Sequence, residues 1–458
     1  RIFKMLALVP GGFALSSQPA FVGGISTERM GNMSHQPFHR VPLGEEIYFT
    51  TIPAAQFKTN LLGIHLVLPL TRETISGCAL VPLILEQGTA DYPTFQSFSK
   101  KLGQMYGAAA GSTVTKQGDR LVVSLHLSAL DDSFALEGEP LLAESAKLLC
   151  DMLLRPVLKG GAFDDTTFAI QQKYLLDAIE AEINDKRRYA LQEMVRLLFG
   201  DEPAGLSKLG YAEDIRAMTP ASAADTWRWM LDTARIVIIH VGRGDAAPAR
   251  KIFRDRMAPL IRHPGVLPET NIHQGSGPVK TGESRFDVVQ AKLCLGFRSE
   301  VGPKSPMLDA MRMMAAVLGG TPTSKLFLNV REKMSLCYYC AANFDRTKGV
   351  LMIDSGVEPD QVEEAKAAIL DQLRQMQVGD FTETDLTHAR LSVLNTFRSM
   401  TESPYITGAY YLGQILDGTA LTPEDQCRRL EAVTAEQVAQ AAGMLRLDTV
   451  YLLTREEK

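Results

Sequence analysis

Apolar positions along the chain switch between strand-like and helix-like spacing, and the switch occurs twice in the same order. Four β-branched or apolar runs bounded by Gly, Pro and polar clusters, at 61–70, 120–130, 288–298 and 350–357, predict strands. Within each pair of strands lies a stretch with helical spacing, 77–86 in the first and 306–318 in the second. Two longer helical patterns open on Gly161-Ala-Phe-Asp-Asp-Thr-Thr-Phe168 and Gly379-Asp-Phe-Thr-Glu-Thr-Asp-Leu386 and run to about Leu198 and Leu416, an offset of 218 residues. Each is followed by a short capped helix and a closing strand. Thr219-Pro220 places proline at a first helical position, and Thr434 with Gln437 three residues later is a capping box. The strands after them reach His240 in the first copy and Leu453 in the second, an offset of about 215.

An internal period fixes the architecture before any motif is considered. The chain reads as two related α+β halves, each a mostly antiparallel sheet packed with helices. The segment 263–284, with Pro264, Gly265, Pro268, Gly275, Gly277 and Pro278, reads as the linker, so the halves are expected at 38–262 and 285–458. Residues 1–37 are expected to be a disordered leader or an upstream-start artefact, with Met33 as the start: Arg1 to Val9 loosely resembles a signal peptide, but Pro10-Gly11-Gly12 interrupts the apolar run.

Composition narrows the function classes. At 458 residues and 45% apolar the chain can bury large cores in at least two domains. A net charge of −5 without a Lys/Arg stripe argues against nucleic acid. No run approaches the roughly 20 apolar residues that span a bilayer. Six scattered cysteines with apolar neighbours suit buried reduced thiols, which points to the cytoplasm. Cys337 and Cys340 have CxxC spacing, but residues three apart on a strand face opposite sides, so they read as packing.

The eight histidines form no HxxEH, HxxE or inverted equivalent, and His65, His126 and His240 fall in strand patterns. GxSxG elbows, Cys/His signatures and phosphate loops are missing too. One segment remains, 324–338, where helical spacing passes into a strand pattern. Arg331 would close the helix and Tyr338 would open the strand. On general grounds Arg331 is a cation near a helix C-terminus and Tyr338 a half-buried strand aromatic.

The string LFLNVREKMSLCYY, 326–339, resembles the second-domain signature of the M16 insulinase and processing-peptidase family, LFxxvREkxgLxY. Arg331 and Tyr338 keep its spacing of seven. The resemblance covers nearly the whole chain from about residue 38 and implies two LuxS/MPP-like metallohydrolase domains. It assigns Arg331 and Tyr338 to substrate binding and transition-state stabilisation, where a guanidinium and a phenol donate to a developing oxyanion. Residues 79–89 resemble the family's HxxEHxxFxGT helix. Aligned on Gly88-Thr89, the metal-binding histidines fall on Ala79 and Leu83 and the catalytic glutamate on Pro82. The third ligand, a glutamate, falls on Ala178. The resemblance therefore implies a zinc-free, non-catalytic subunit with no cofactor of its own. Zinc is expected on an HxxEH-bearing homologue with which it would form a peptide-hydrolysing heterodimer. Phrases such as FKTN, PLTRET and INDKRRYA resemble the bacterial subtype associated with 5-aminopentanol modification of elongation factor P. A homodimer, and a non-catalytic scaffold in a protein-modification pathway, are the alternative expectations.

Overall fold

The computed structural model describes residues 37–275 and 277–456. The expected leader lies outside them apart from Pro37. The first half holds β1 (His39–Gly44), β2 (Ile47–Pro53), β3 (Thr59–Pro69), β4 (Ala109–Gln117), β5 (Arg120–Leu130), the short pair β6 (Leu158–Lys159) and β7 (Ala162–Phe163), and β8 (Arg235–Gly242). The second holds β9 (Lys280–Phe286), β10 (Ala291–Arg298), β11 (Cys337–Asp345), β12 (Val350–Val357) and β13 (Arg446–Arg455). The six-stranded sheet runs β1-β2-β8-β3-β5-β4 and the five-stranded sheet β11-β12-β10-β13-β9. Setting β1 aside, the second order is the first reversed, and each sheet has one parallel pair, β2 with β8 and β9 with β13. The repeat in the sequence is thus a repeat of topology, and the sheets are mixed with antiparallel pairing dominant.

Two expectations are corrected. The sequence places the end of the linker at residue 284, but β9 begins at Lys280 and pairs with β13. Its sequence, KTGESRF, is polar because it is a sheet edge with exposed alternate positions, so it carries no apolar run. Each long helical pattern is also broken. The first divides into helices Asp165–Glu180 and Lys186–Phe199, the second into Glu383–Ser399 and Pro404–Asp417. Asp185 caps Arg188 N–H at 3.0 Å after one break, and Pro404 stands at the first turn after the other.

The breaks let the halves exchange helices. Lys186–Phe199 crosses onto β10 and β13, where Ala190, Met194 and Leu198 join Cys294, Tyr451 and Leu453 in one cluster. Pro404–Asp417 returns onto β3 and β8, with Tyr410 and Tyr411 clustered with Leu61 and Val241. Apolar faces of each half are therefore buried against the other, and the halves are held as one body.

Three histidines lie within the first sheet, as their strand patterns predict. Burial lowers His65 to about 3 and His126 and His240 to about 4, from 6.5. The unfolded chain takes up these protons near pH 6.5, whereas the folded chain resists them, so stability is full above that pH and falls as pH drops toward 4. The unfolding free energy from urea titration should therefore decrease from pH 7 to pH 5, by on the order of 1–2 kcal/mol per histidine. A His126→Gln variant should show a shallower slope; identical slopes would contradict this assignment.

Candidate functional site

The helix Ile75–Leu85 is apolar all round and nearly every residue in it is buried. Pro82 sits inside it and withdraws one backbone donor, a cost of about 3 kcal/mol in a helix interior that burial must offset. Helix Asp165–Glu180, capped by the Asp164 carboxylate on Thr167 N–H at 3.0 Å, packs against it. Their facing sides border a cavity of about 1200 Å³ between the halves, lined by Ala79, Pro82, Leu83 and Ala178 together. Positions up to 99 residues apart in sequence, singled out by motif resemblance, thus converge on one wall.

The side chains at these positions are two methyl groups, a pyrrolidine ring and an isobutyl group, so none offers a metal-ligating atom. Among the described residues no three His, Cys, Asp or Glu side chains are grouped to hold a metal ion. The residues do not fit a zinc ion.

The cavity is also bounded by β4, through Ser112, Thr113, Val114 and Thr115, and by Val288, Val289, Gln290 and Lys292 of the second half. β4 is the outer strand of its sheet, with one side unpaired by another strand. Glu86 accepts Ser112 N–H at 2.9 Å and so occupies one of its free donors. Sequence reasoning missed the charged rim. Lys186, Arg187 and Arg188 reach it because the helix breaks just before them, and a periodic reading had placed these residues inside one long helix. Lys208, in a loop, carried no pattern at all.

Arg331 and Tyr338 do not line this cavity. Arg331 lies on a widened helix, Leu326–Lys333, in which Met334 N–H donates to the Asn329 carbonyl five residues back at 2.9 Å. Its guanidinium is 4.5 Å from the Phe327 ring centroid and 3.4 Å from Glu332. Tyr338 is 51% exposed, not half-buried in the core, because the strand bulges there: Cys337 pairs with Val357 and Tyr339 with Gly356, leaving Tyr338 unpaired. Its hydroxyl donates to the Glu358 carboxylate, which raises the phenol above its usual range.

The same bulge corrects the reading of Cys337 and Cys340. The extra residue restores the phase of the strand, so both thiols face inward and are buried. A hydrogen bond between them holds Cys337 below the usual thiol range and pushes Cys340 well above it, with Arg331 also favouring a Cys337 thiolate. All six cysteines are buried and none is in a disulfide.

Ser335, between Arg331 and Tyr338, has φ of 55°, a left-handed conformation costly to residues with a Cβ. The resembled motif has glycine at this position. Ser335→Gly should raise stability by about 0.5–1 kcal/mol, the relief of strain exceeding the entropy that glycine adds to the unfolded chain. A decrease in the denaturation midpoint would show that the Ser335 side chain has a role that this geometry does not reveal.

No helix among the described residues is long and apolar enough to cross a membrane. Comparison with known proteins agrees with the fold. Residues 218–393, which include Arg331 and Tyr338, match the family described as Peptidase M16 inactive domain. A Bacillus subtilis protein named probable inactive metalloprotease YmfF is 27% identical over 406 residues, covering 89% of this chain and 95% of the relative. A conserved protein of Enterococcus faecalis V583 superposes with a TM-score of 0.85 at 23% identity, over 92% of this chain and 99% of that one. The peptidase M16 inactive domain of Pseudomonas fluorescens gives 0.72 at 18% identity, over 92% and 98%. The chain therefore shares the fold of these M16 peptidase structures, and its residues 218–393 match the domain described for that family as inactive.

Proposed function

We propose that this chain is the non-catalytic, peptide-holding subunit of a split M16 peptidase, paired with an HxxEH-bearing homologue that supplies the metal and the general base. The observation that carries this reading is the cavity. Its metal positions are filled by Ala79, Pro82, Leu83 and Ala178, yet the space remains open and is bordered by the free edge of β4. Such an edge offers main-chain donors and acceptors to an extended peptide, as in strand addition. The name of the Bacillus subtilis relative, a probable inactive metalloprotease, supports the absence of catalysis by the chain alone.

Arg331 and Tyr338 supply the second part of the reading. Both are solvent-accessible at the side of the second half, away from this chain's own cavity, where they can reach a site completed by another subunit. Glu358 positions the Tyr338 hydroxyl and keeps its proton in place, so the phenol serves as a donor. Light scattering of an equimolar mixture with the HxxEH homologue should give a one-to-one complex. Separate monomers or two homodimers would overturn the pairing.

A further inference from the structure

The cavity walls carry an excess of positive charge on a chain whose net charge is −5, so the local field opposes that of the molecule. Some of that charge is matched within the fold: Arg187 is ion-paired with Asp354, and Arg188 lies 4.0 Å from Glu182. Three ammonium groups are not. Among the described residues Lys186, Lys208 and Lys292 form no ion pair; Glu182 acts on Lys208, and Asp185 and Asp354 on Lys292, only from beyond ion-pair distance. Lys186 lies 4.1 Å from the centroid of the Phe286 ring, Lys292 touches the amide oxygen of Gln290 at 3.1 Å, and Lys208 has no hydrogen-bond acceptor among the described residues. Desolvating an ammonium without an anion is unfavourable, and burial lowers the pKa of both Lys208 and Lys292 for that reason.

We propose that the cavity recognises peptides by their carboxylates, with Lys186, Lys208 and Lys292 as the anion-binding groups. This rests on the reading of the cavity as a peptide site and adds the class of peptide to it. The apolar wall formed by Ala79, Pro82, Leu83 and Ala178 takes uncharged side chains, and the strand edge of β4 takes the main chain. The lysines come from both halves, so an acidic side chain or a terminal carboxylate would close a contact that the fold leaves open. Charge-assisted contacts of this kind are the strong class of hydrogen bond, and they weaken with salt where solvent reaches them.

The test is fluorescence anisotropy of this chain alone with labelled alanine-rich hexapeptides: one with two glutamates and an amidated C-terminus, one neutral and amidated, one neutral with a free carboxylate, and one with two lysines. The acidic peptide is expected to bind about tenfold tighter than the neutral amidated one, as one matched charged contact would give. High salt and a Lys208→Gln/Lys292→Gln variant of unchanged circular dichroism should each remove that advantage. A gain confined to the free-carboxylate peptide would support the same chemistry with the chain terminus as its source. Equal binding of the acidic, neutral and lysine peptides, unchanged in the variant, would overturn carboxylate recognition while leaving the peptide site standing. Absence of binding by every peptide would instead remove the peptide-holding reading itself.

Discussion

Replacing Lys348 by methionine is expected to lower folding stability by about 3–5 kcal/mol, the range found when one partner of a buried ion pair is removed. The side chain of Lys348 is 2% exposed, and its ammonium lies 3.0 Å from Asp119 and 3.0 Å from Glu202. Asp119 stands in the turn between β4 and β5, and Lys348 in the topologically matching turn between β11 and β12. Glu202 follows the exchanged helix Lys186–Phe199 and is also held by Arg298 at 2.6 Å. Burial acts to raise the Glu202 carboxyl, but the hydrogen bonds from Lys348 and Arg298 prevail and hold it below the usual range. One cation thus bridges carboxylates on two segments, and its loss leaves Asp119 with no cation and Glu202 with Arg298 alone. Adding Asp119→Asn to Lys348→Met should recover part of the loss, because it removes the carboxylate left without a cation. A midpoint shift worth less than about 1 kcal/mol in the single variant would place this contact with ordinary surface pairs.

The second large effect is catalytic. In the mixture with the HxxEH homologue, Arg331→Ala and Tyr338→Phe should each lower kcat/KM by about 10²–10³, the usual effect of deleting one donor to a developing oxyanion. Arg331 has a planar set of donors steadied by the Phe327 ring, and Tyr338 presents its hydroxyl from a bulge that turns it out of the sheet. Because both side chains are accessible, their truncation should leave thermal unfolding and complex formation nearly unchanged. Turnover equal to wild type in both variants would remove these residues from the account, whatever the state of assembly.

The central strands were readable because they are buried on both faces: β3, β5, β10 and β12 are near-continuous apolar runs and fall within a few residues of their expected places. Edges were not. β9 is polar and was absorbed into the linker, while the Tyr338 bulge leaves no signature in an alternating pattern and reversed the reading of the Cys337 and Cys340 faces. The offset of 218 residues located both long helical patterns, but periodicity is blind to a break that resumes in phase, so the helix exchange between halves appeared only in three dimensions. In the site, Ala79, Pro82, Leu83 and Ala178 were found by their likeness to a motif, since small and apolar side chains carry no chemistry to betray them. The cavity's lysines were missed for the opposite reason: charged residues are ordinary on a surface, and only the fold reveals which face a cavity.

The account is tested most directly by cleavage of a quenched peptide by this chain alone, by its HxxEH homologue alone and by the two mixed, each with zinc. Turnover in the mixture well above the sum of the separate rates, with none from this chain alone, is the predicted result. Activity of this chain by itself would contradict the account, as would a homologue that cleaves equally well without it.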